Sequence, residues 1–208
     1  MSSPVPEHEP LAGAPARERW DEQLPLGRWL EAIASPQPLP AGGRVASIAG
    51  ALAAALVEKI GRIVLRSQKR SALHPVAEDV AARAAALRPL LLAVGEADDR
   101  AYAAVMAARR AAGGSSAPLH DAEAAAARLQ VTLMEHCVEV MELARRLEDE
   151  VGTALGADLA SARHVAGAAA RCAQGNVEAD LAGLAGDPRS AEIRAAANSA
   201  LARAGLLP

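Results

Sequence analysis

Aromatic side chains are almost missing from this chain. They make up 1% of its 208 residues, as Trp20, Trp29 and Tyr102, and there is no phenylalanine. That scarcity argues against a sheet core, because strands draw on β-branched and aromatic residues. A hydrophobic content of 51% without rings favours helices packed at short distance on Ala, Leu and Val. Only two cysteines occur, Cys137 and Cys172, far apart in sequence and both in apolar helical contexts. They are expected as small core residues rather than as a disulfide or metal pair. Basic excess is also lacking: the net charge is −3, so nucleic acid is not expected as a partner. Long apolar runs are absent too. The longest uncharged stretch covers residues 45–57, well short of the roughly 20 apolar residues that span a membrane. The opening MSSPVPEHEPLAGAPARE has no basic region followed by an apolar core, so no signal peptide is expected and a cytoplasmic location is.

What is present is helical punctuation. Pro4, Pro6, Pro10 and Pro15 predict a disordered tail over residues 1–20, before a single helical domain over 21–208. A short helix is expected at 26–34, and the alternate prolines Pro36, Pro38 and Pro40 keep 35–43 out of helix. A long helix is expected over 44–73. The next runs from Pro75 to 112, with a kink or break at Pro89, and 113–118 forms a loop. Leu129, Leu133, Cys137, Val140, Ala144, Leu147 and Val151 recur at spacings of three and four, one buried stripe of a helix over 119–151. Helices over 159–184 and 190–204 complete an all-α, up-and-down bundle of five to six helices.

The stretch LPAGGRVASIAGALAAAL, residues 39–56, places a glycine pair and an arginine before the most closely packable segment. Gly42 and Gly43 permit a tight turn and close approach. The first turn of the following helix offers unpaired N–H groups to an anion or a polar ligand edge, and Arg44 adds a forked donor for a carboxylate. The same pattern also serves as a plain loop ending at a helix start. Ala46, Gly50, Ala54 and Gly61 share a face that admits another helix closely, either within the chain or across a dimer interface.

These residues carry a resemblance. SPQPLPAGGRVASIAGALAAALVEKI resembles the signature region of the formiminotransferase-cyclodeaminase C-terminal family, which includes the cyclodeaminase domain and bacterial methenyltetrahydrofolate cyclohydrolase. That family's pattern is Ser-Pro-x-Pro-x-Pro, a Gly-Gly-Gly-Ser turn and an Ala/Gly-rich helix. Asp98-Asp99-Arg100-Ala101-Tyr102 is similar to its Asp-x-x-Ala-Phe block. SARHVAGAAARCAQGNVEADL is similar to its Ser-Asp-Ala-Gly-Val-Ala stretch and the later Asn-Val-x-x-Asn. The chain departs from the pattern at three points: Arg44 stands for Ser, Ala162 for Asp, and Asp180 for the second Asn.

The resemblance implies a C–N bond reaction on a folate-like substrate, formimino- or methenyl-tetrahydrofolate, or on another planar heterocycle. Such chemistry needs a carboxylate as acid, base and counter-charge. Asp98, one helical turn before Tyr102, is the candidate; otherwise Asp98 and Asp99 are solvated or paired with arginine. Tyr102 either stacks on a flat ligand or fills the core. Arg109, two turns past Tyr102, faces a ligand carboxylate in this reading, and the Asn176 amide reads a heterocycle edge. His164, three residues after Ser161, is a second acid–base candidate; otherwise it is a surface histidine. Catalysis is thus assigned to Asp98, Tyr102 and His164, and substrate binding to Gly42, Gly43, Arg44, Arg109, Ser161 and Asn176. No metal and no tightly bound cofactor are expected, since His120, His136 and Cys137 lack ligand spacing and the tetrahydrofolate derivative is substrate. A homodimer through the Ala/Gly-rich helix is expected, with no nucleic-acid or membrane partner. The alternative is a catalytically silent helical homodimer that binds a small ligand or a protein partner.

Overall fold

The computed structural model describes residues 25–112 and 116–206; the expected N-terminal tail lies outside them. The described residues form six α-helices and one 3-10 helix, with no strand among them. The described residues fall into two units, divided between Pro36 and Gln37. The first contains α1 (Leu26–Ala34), which starts at Pro25 and carries an Arg28–Glu31 ion pair of 2.9 Å on its surface.

The second unit is an antiparallel helical bundle. Its members are α2 (Gly42–Leu65), the 3-10 turn Gln68–Leu73, α3 (His74–Ala112), α4 (Ala117–Glu148), α5 (Thr153–Ala182) and α6 (Pro188–Ala204). α2 packs against α3, α4 and α5, and almost all of its circumference is buried. Its small residues make that possible. A methyl group at Gly50 would touch Cys137 Sγ and Leu91 Cδ2 at 3.0 Å, and one at Gly61 would stand 3.0 Å from the Ala77 carbonyl oxygen. The Ala46/Gly50/Ala54/Gly61 face is therefore consumed within the chain, against α3 and α4, and is not left free for a dimer. What α2 leaves exposed, after Gly42 at its start, is Val45, Leu52, Lys59 and Arg62.

The largest departures from the expected elements are at α2, α3 and α5, the other ends lying within three residues of expectation. α2 ends at Leu65, not at residue 73, because RSQKRSAL offers no apolar period to bury and settles into the 3-10 turn. α3 runs through Pro89 without a break. Pro89 lies on the exposed side, and buried Leu87 and Leu91 on either side of it hold the helix to the core. α5 begins six residues earlier than expected, after Gly152 at φ +84°, a left-handed angle that glycine adopts freely. The α4 stripe is buried as expected from Leu133 to Val151, and Leu129 sits at its half-buried edge. Cys137 is in the core, its thiol pushed up to about 12 by burial, whereas Cys172 is exposed on α5 because its position falls on the outer face.

Candidate functional site

The α2 N-terminus, the middle of α3, the first half of α4 and the end of α5 bring polar side chains together in one seam. Gly42 and Gly43 form the first turn of α2 itself, after Ala41 in extended conformation and without a capping side chain. Neither has a positive φ, so a tight turn is not why glycine is there. Close approach is: a Cβ on Gly43 would overlap the Asp98 carboxylate and lie 2.7 Å from Gln130 Nε2.

Asp98 is half-buried on α3. Gln130 Nε2 on α4 donates to Asp98 Oδ1 at 2.5 Å, and Asn176 Nδ2 on α5 donates to Gln130 Oε1 at 3.3 Å. One hydrogen-bonded chain thus ties three helices at the α2 N-terminus. Burial raises the pKa of Asp98 above the usual carboxylate range, while the Gln130 hydrogen bond and the Arg44 charge hold it down. Its neighbour Asp99 turns to a different partner. Arg44 Nε lies 3.4 Å from Asp99 Oδ2, and Arg44 Nη1 donates to the Leu92 carbonyl at 3.3 Å. Asp99 is raised by burial as well, with Arg44 opposing. Ser47 Oγ donates to the Arg44 carbonyl at 2.9 Å and fills the space that a side chain at Gly95 would need.

Further along the seam, Arg109 Nη2 meets Glu123 Oε1 at 2.9 Å. Glu123 is 2% exposed, its other oxygen Oε2 is buried without a hydrogen-bond partner, and its carboxylate lies against Gly183, where a Cβ would overlap it. Asp180, one turn beyond Asn176 on α5, is pushed up to about 7 by burial first, then by the negative charges of Asp98 and Glu123, with Arg109 opposing. The seam therefore holds carboxyls in excess of cations, in a setting that favours one of them being protonated near neutral pH.

The predicted site residues separate into two groups. Gly42, Gly43, Asp98, Tyr102, Arg109 and Asn176 fall on this seam. Tyr102 is 37% exposed one turn from Asp98, so it is not the core's filler. Arg44 is near Asp98 but is not a ligand-facing cation: it is 4% exposed, with its guanidinium on Asp99 and Leu92. Ser161 and His164 do not join. Both are exposed on α5, and His164 lies about 18 Å along the helix from Asn176 at 1.5 Å per residue. The Ser161 hydroxyl donates to the Ala157 carbonyl at 2.9 Å. Gln130, Glu123 and Asp180 are members that sequence reading did not assign. Gln130 and Glu123 were detectable: with Cys137 and Ala144 they recur every seven residues on the buried stripe of α4, where an unexplained polar residue signals a purpose.

The sequence profile of the formiminotransferase-cyclodeaminase family matches residues 25–199. The chain belongs to this family. A crystal structure of formiminotetrahydrofolate cyclodeaminase from Thermotoga maritima superposes with a TM-score of 0.82 at 22% identity, over 88% of this chain and 91% of that one, a likeness that establishes the shared fold. No curated protein matches the chain. Within the family scaffold, the three departures have different surroundings. Arg44 is neutralised by Asp99. Ala162 is fully buried, where an aspartate would need a partner and alanine needs none. Asp180 adds a carboxyl to the seam itself. Among the described residues no cluster of His, Cys, Asp and Glu has the geometry to hold a metal, and no helix is long and apolar enough to cross a membrane.

Proposed function

We propose that this chain is a cytoplasmic enzyme of cyclodeaminase/cyclohydrolase type, acting on a C–N bond of formimino- or methenyl-tetrahydrofolate or a similar planar heterocycle, with the folate as substrate and no resident cofactor. The carrying observation is Asp98, a half-buried carboxyl held by Gln130 against the bare backbone of Gly43. A carboxylate so fixed supplies counter-charge to a cationic amidine carbon and takes a proton from the attacking water or amine nitrogen. Tyr102 covers the flat face of the ligand, the partly exposed Arg109 meets an anionic end, and the Asn176 amide reads the heterocycle edge. The N–H groups of Gly42 and Gly43 face the same region from a helix start.

A homodimer belongs to this proposal. Lys59 and Asp158 pair at 3.3 Å between α2 and α5, and Leu52 and Val165 each lie seven residues from that pair at one level of the two helices. Both are exposed, 64% and 41%, and together with Val45 they present an apolar face suited to a second copy. A second reading, binding without turnover, draws on the Arg44–Asp99 pair, which puts a neutralised cation where the family pattern has a hydroxyl.

The test is the loss of methenyltetrahydrofolate absorbance and ammonia release from formiminotetrahydrofolate, with Asp98→Ala as control. Turnover that falls by about 10²–10⁴ in the variant is expected. Calorimetric binding without turnover moves the assignment to the second reading, and neither binding nor turnover overturns both.

A further inference from the structure

We propose that Asp180 is the proton donor of the site, a second carboxyl that enters the reaction neutral and protonates the departing nitrogen while Asp98 accepts the proton of the nucleophile. The inference rests on the folate reading above and adds a residue and a direction of proton flow to it.

The geometry comes first. Asn176 and Asp180 are four residues apart on α5, so they share a face at successive turns, about 6 Å apart along the axis. Asn176 reaches Asp98 through Gln130, which places Asp180 next in line on the same seam. The charged groups facing it are Asp98 and Arg109 from α3 and Glu123 from α4. Arg109 is already bonded to Glu123 at 2.9 Å. Glu123 Oε2 is buried without a hydrogen-bond partner, and the Glu123 charge acts on Asp180. Two acidic neighbours and one engaged cation favour the neutral form of Asp180, and its pKa is pushed up to about 7 accordingly. Asp98 is raised by burial as well, but it accepts a hydrogen bond from an amide and feels Arg44, and both oppose that rise. The carboxyl with an amide donor and a cation holding it down suits the base, and the one facing two further acids suits the acid.

The step balances. The nucleophile, water or the substrate's second amine N–H, bonds to the amidine carbon and gives its proton to the Asp98 carboxylate; where it is water, the remaining hydroxyl proton passes to solvent as the carbonyl forms. The C–N bond breaks, its electron pair stays on the departing nitrogen, and that nitrogen takes the Asp180 proton, leaving a carboxylate. Exchange with water then restores the pair. The family pattern has Asn at this position, which holds no such proton, so the acid would be particular to chains carrying Asp here.

Asp180→Asn, close in size and able to fold, tests this with two readouts. For an aspartate whose folded pKa is raised, the stabilising contribution is complete below the unfolded value of 3.8 and is lost as pH rises through about 7. The wild-type melting temperature should fall between pH 6 and 8, on the order of 5 °C, and that fall should be missing in Asp180→Asn. In turnover, kcat of the wild type should decline above pH 7, and Asp180→Asn should lose that limb and about 10²-fold in kcat with little change in KM. Asp180→Glu should recover part of the rate. A variant that keeps the wild-type alkaline limb, or that melts with the wild-type pH dependence, overturns the donor role while leaving the folate reading intact. Wild-type protein with no turnover overturns both.

Discussion

Glu58 and Glu123 are buried to nearly the same depth, 5% and 2% exposed, yet their charges are met differently. Glu58 on α2 gives one oxygen to Arg62 at 2.6 Å and the other to Arg88 at 3.4 Å. Both arginines keep much of their side chain in solvent, 66% and 48% exposed, so the pair is anchored at the surface and balanced. Glu123 gives one oxygen to Arg109 and leaves the other without a hydrogen-bond partner. Asp180 faces it, Asp98 faces Asp180 in turn, and the cation acting on that group is Arg109 alone. A balanced buried charge serves the architecture. Where carboxyls outnumber cations, burial and like charge favour a proton on one of them, as at Asp180, and such groups are what acid–base chemistry uses.

The largest way to break the contrast is Gly43→Ala. The added methyl group occupies the place of the Asp98 carboxylate and crowds Gln130. Asp98 must swing out, and the Gln130–Asn176 chain loses its anchor. Turnover should fall by about 10²-fold or more, because displacement of a catalytic group by an ångström carries a penalty of that order. Circular dichroism should show the helices retained, and a variant with wild-type turnover would remove Gly43 from the site.

Arg44→Ala comes next. It leaves Asp99, whose side chain is 15% exposed, without its cation and so exposes the cost of a buried carboxylate. Urea unfolding at pH 8 should show a loss of about 2–3 kcal/mol. Part of it should return at pH 5, because Asp99, already raised by burial, rises further without the Arg44 charge and takes up a proton. A loss equal at both pH values would mean that packing, not charge, is what Arg44 supplies.

The same physics explains which parts of the molecule could be read from sequence. Helix periodicity reports burial directly, so α4 and its stripe were legible residue by residue. Small residues on α2 announced a close approach, but periodicity does not say whose helix approaches; α3 and α4 took that place within the chain. Glycine before a helix was legible as a special position, but not its reason, which is the Asp98 carboxylate 55 residues away. Asp98 and Asp99 are 100° apart on a helix, and only packing decides which meets Gln130 and which meets Arg44. His164 was attractive as chemistry but lies too far along a rigid rod. Gln130 and Glu123 were visible as polar interruptions of an apolar stripe; Asp180, on the half-buried edge of α5, carried no such mark beyond its departure from the family pattern.

The smallest expected effect is at the balanced site, and it is the sharpest check on the comparison. Glu58→Gln removes a buried negative charge and keeps the shape. The charges left behind belong to Arg62 and Arg88, which reach solvent and need no partner. Nothing buried is orphaned, so the usual severe cost of breaking a buried pair does not arise. Exposed-end ion pairs contribute little on their own, and the expected loss in urea unfolding is below about 1 kcal/mol, with turnover unchanged. A loss of several kcal/mol would show that Glu58 is held as tightly as the seam carboxyls, and the distinction between a balanced and an under-balanced buried acid would then no longer mark the functional one.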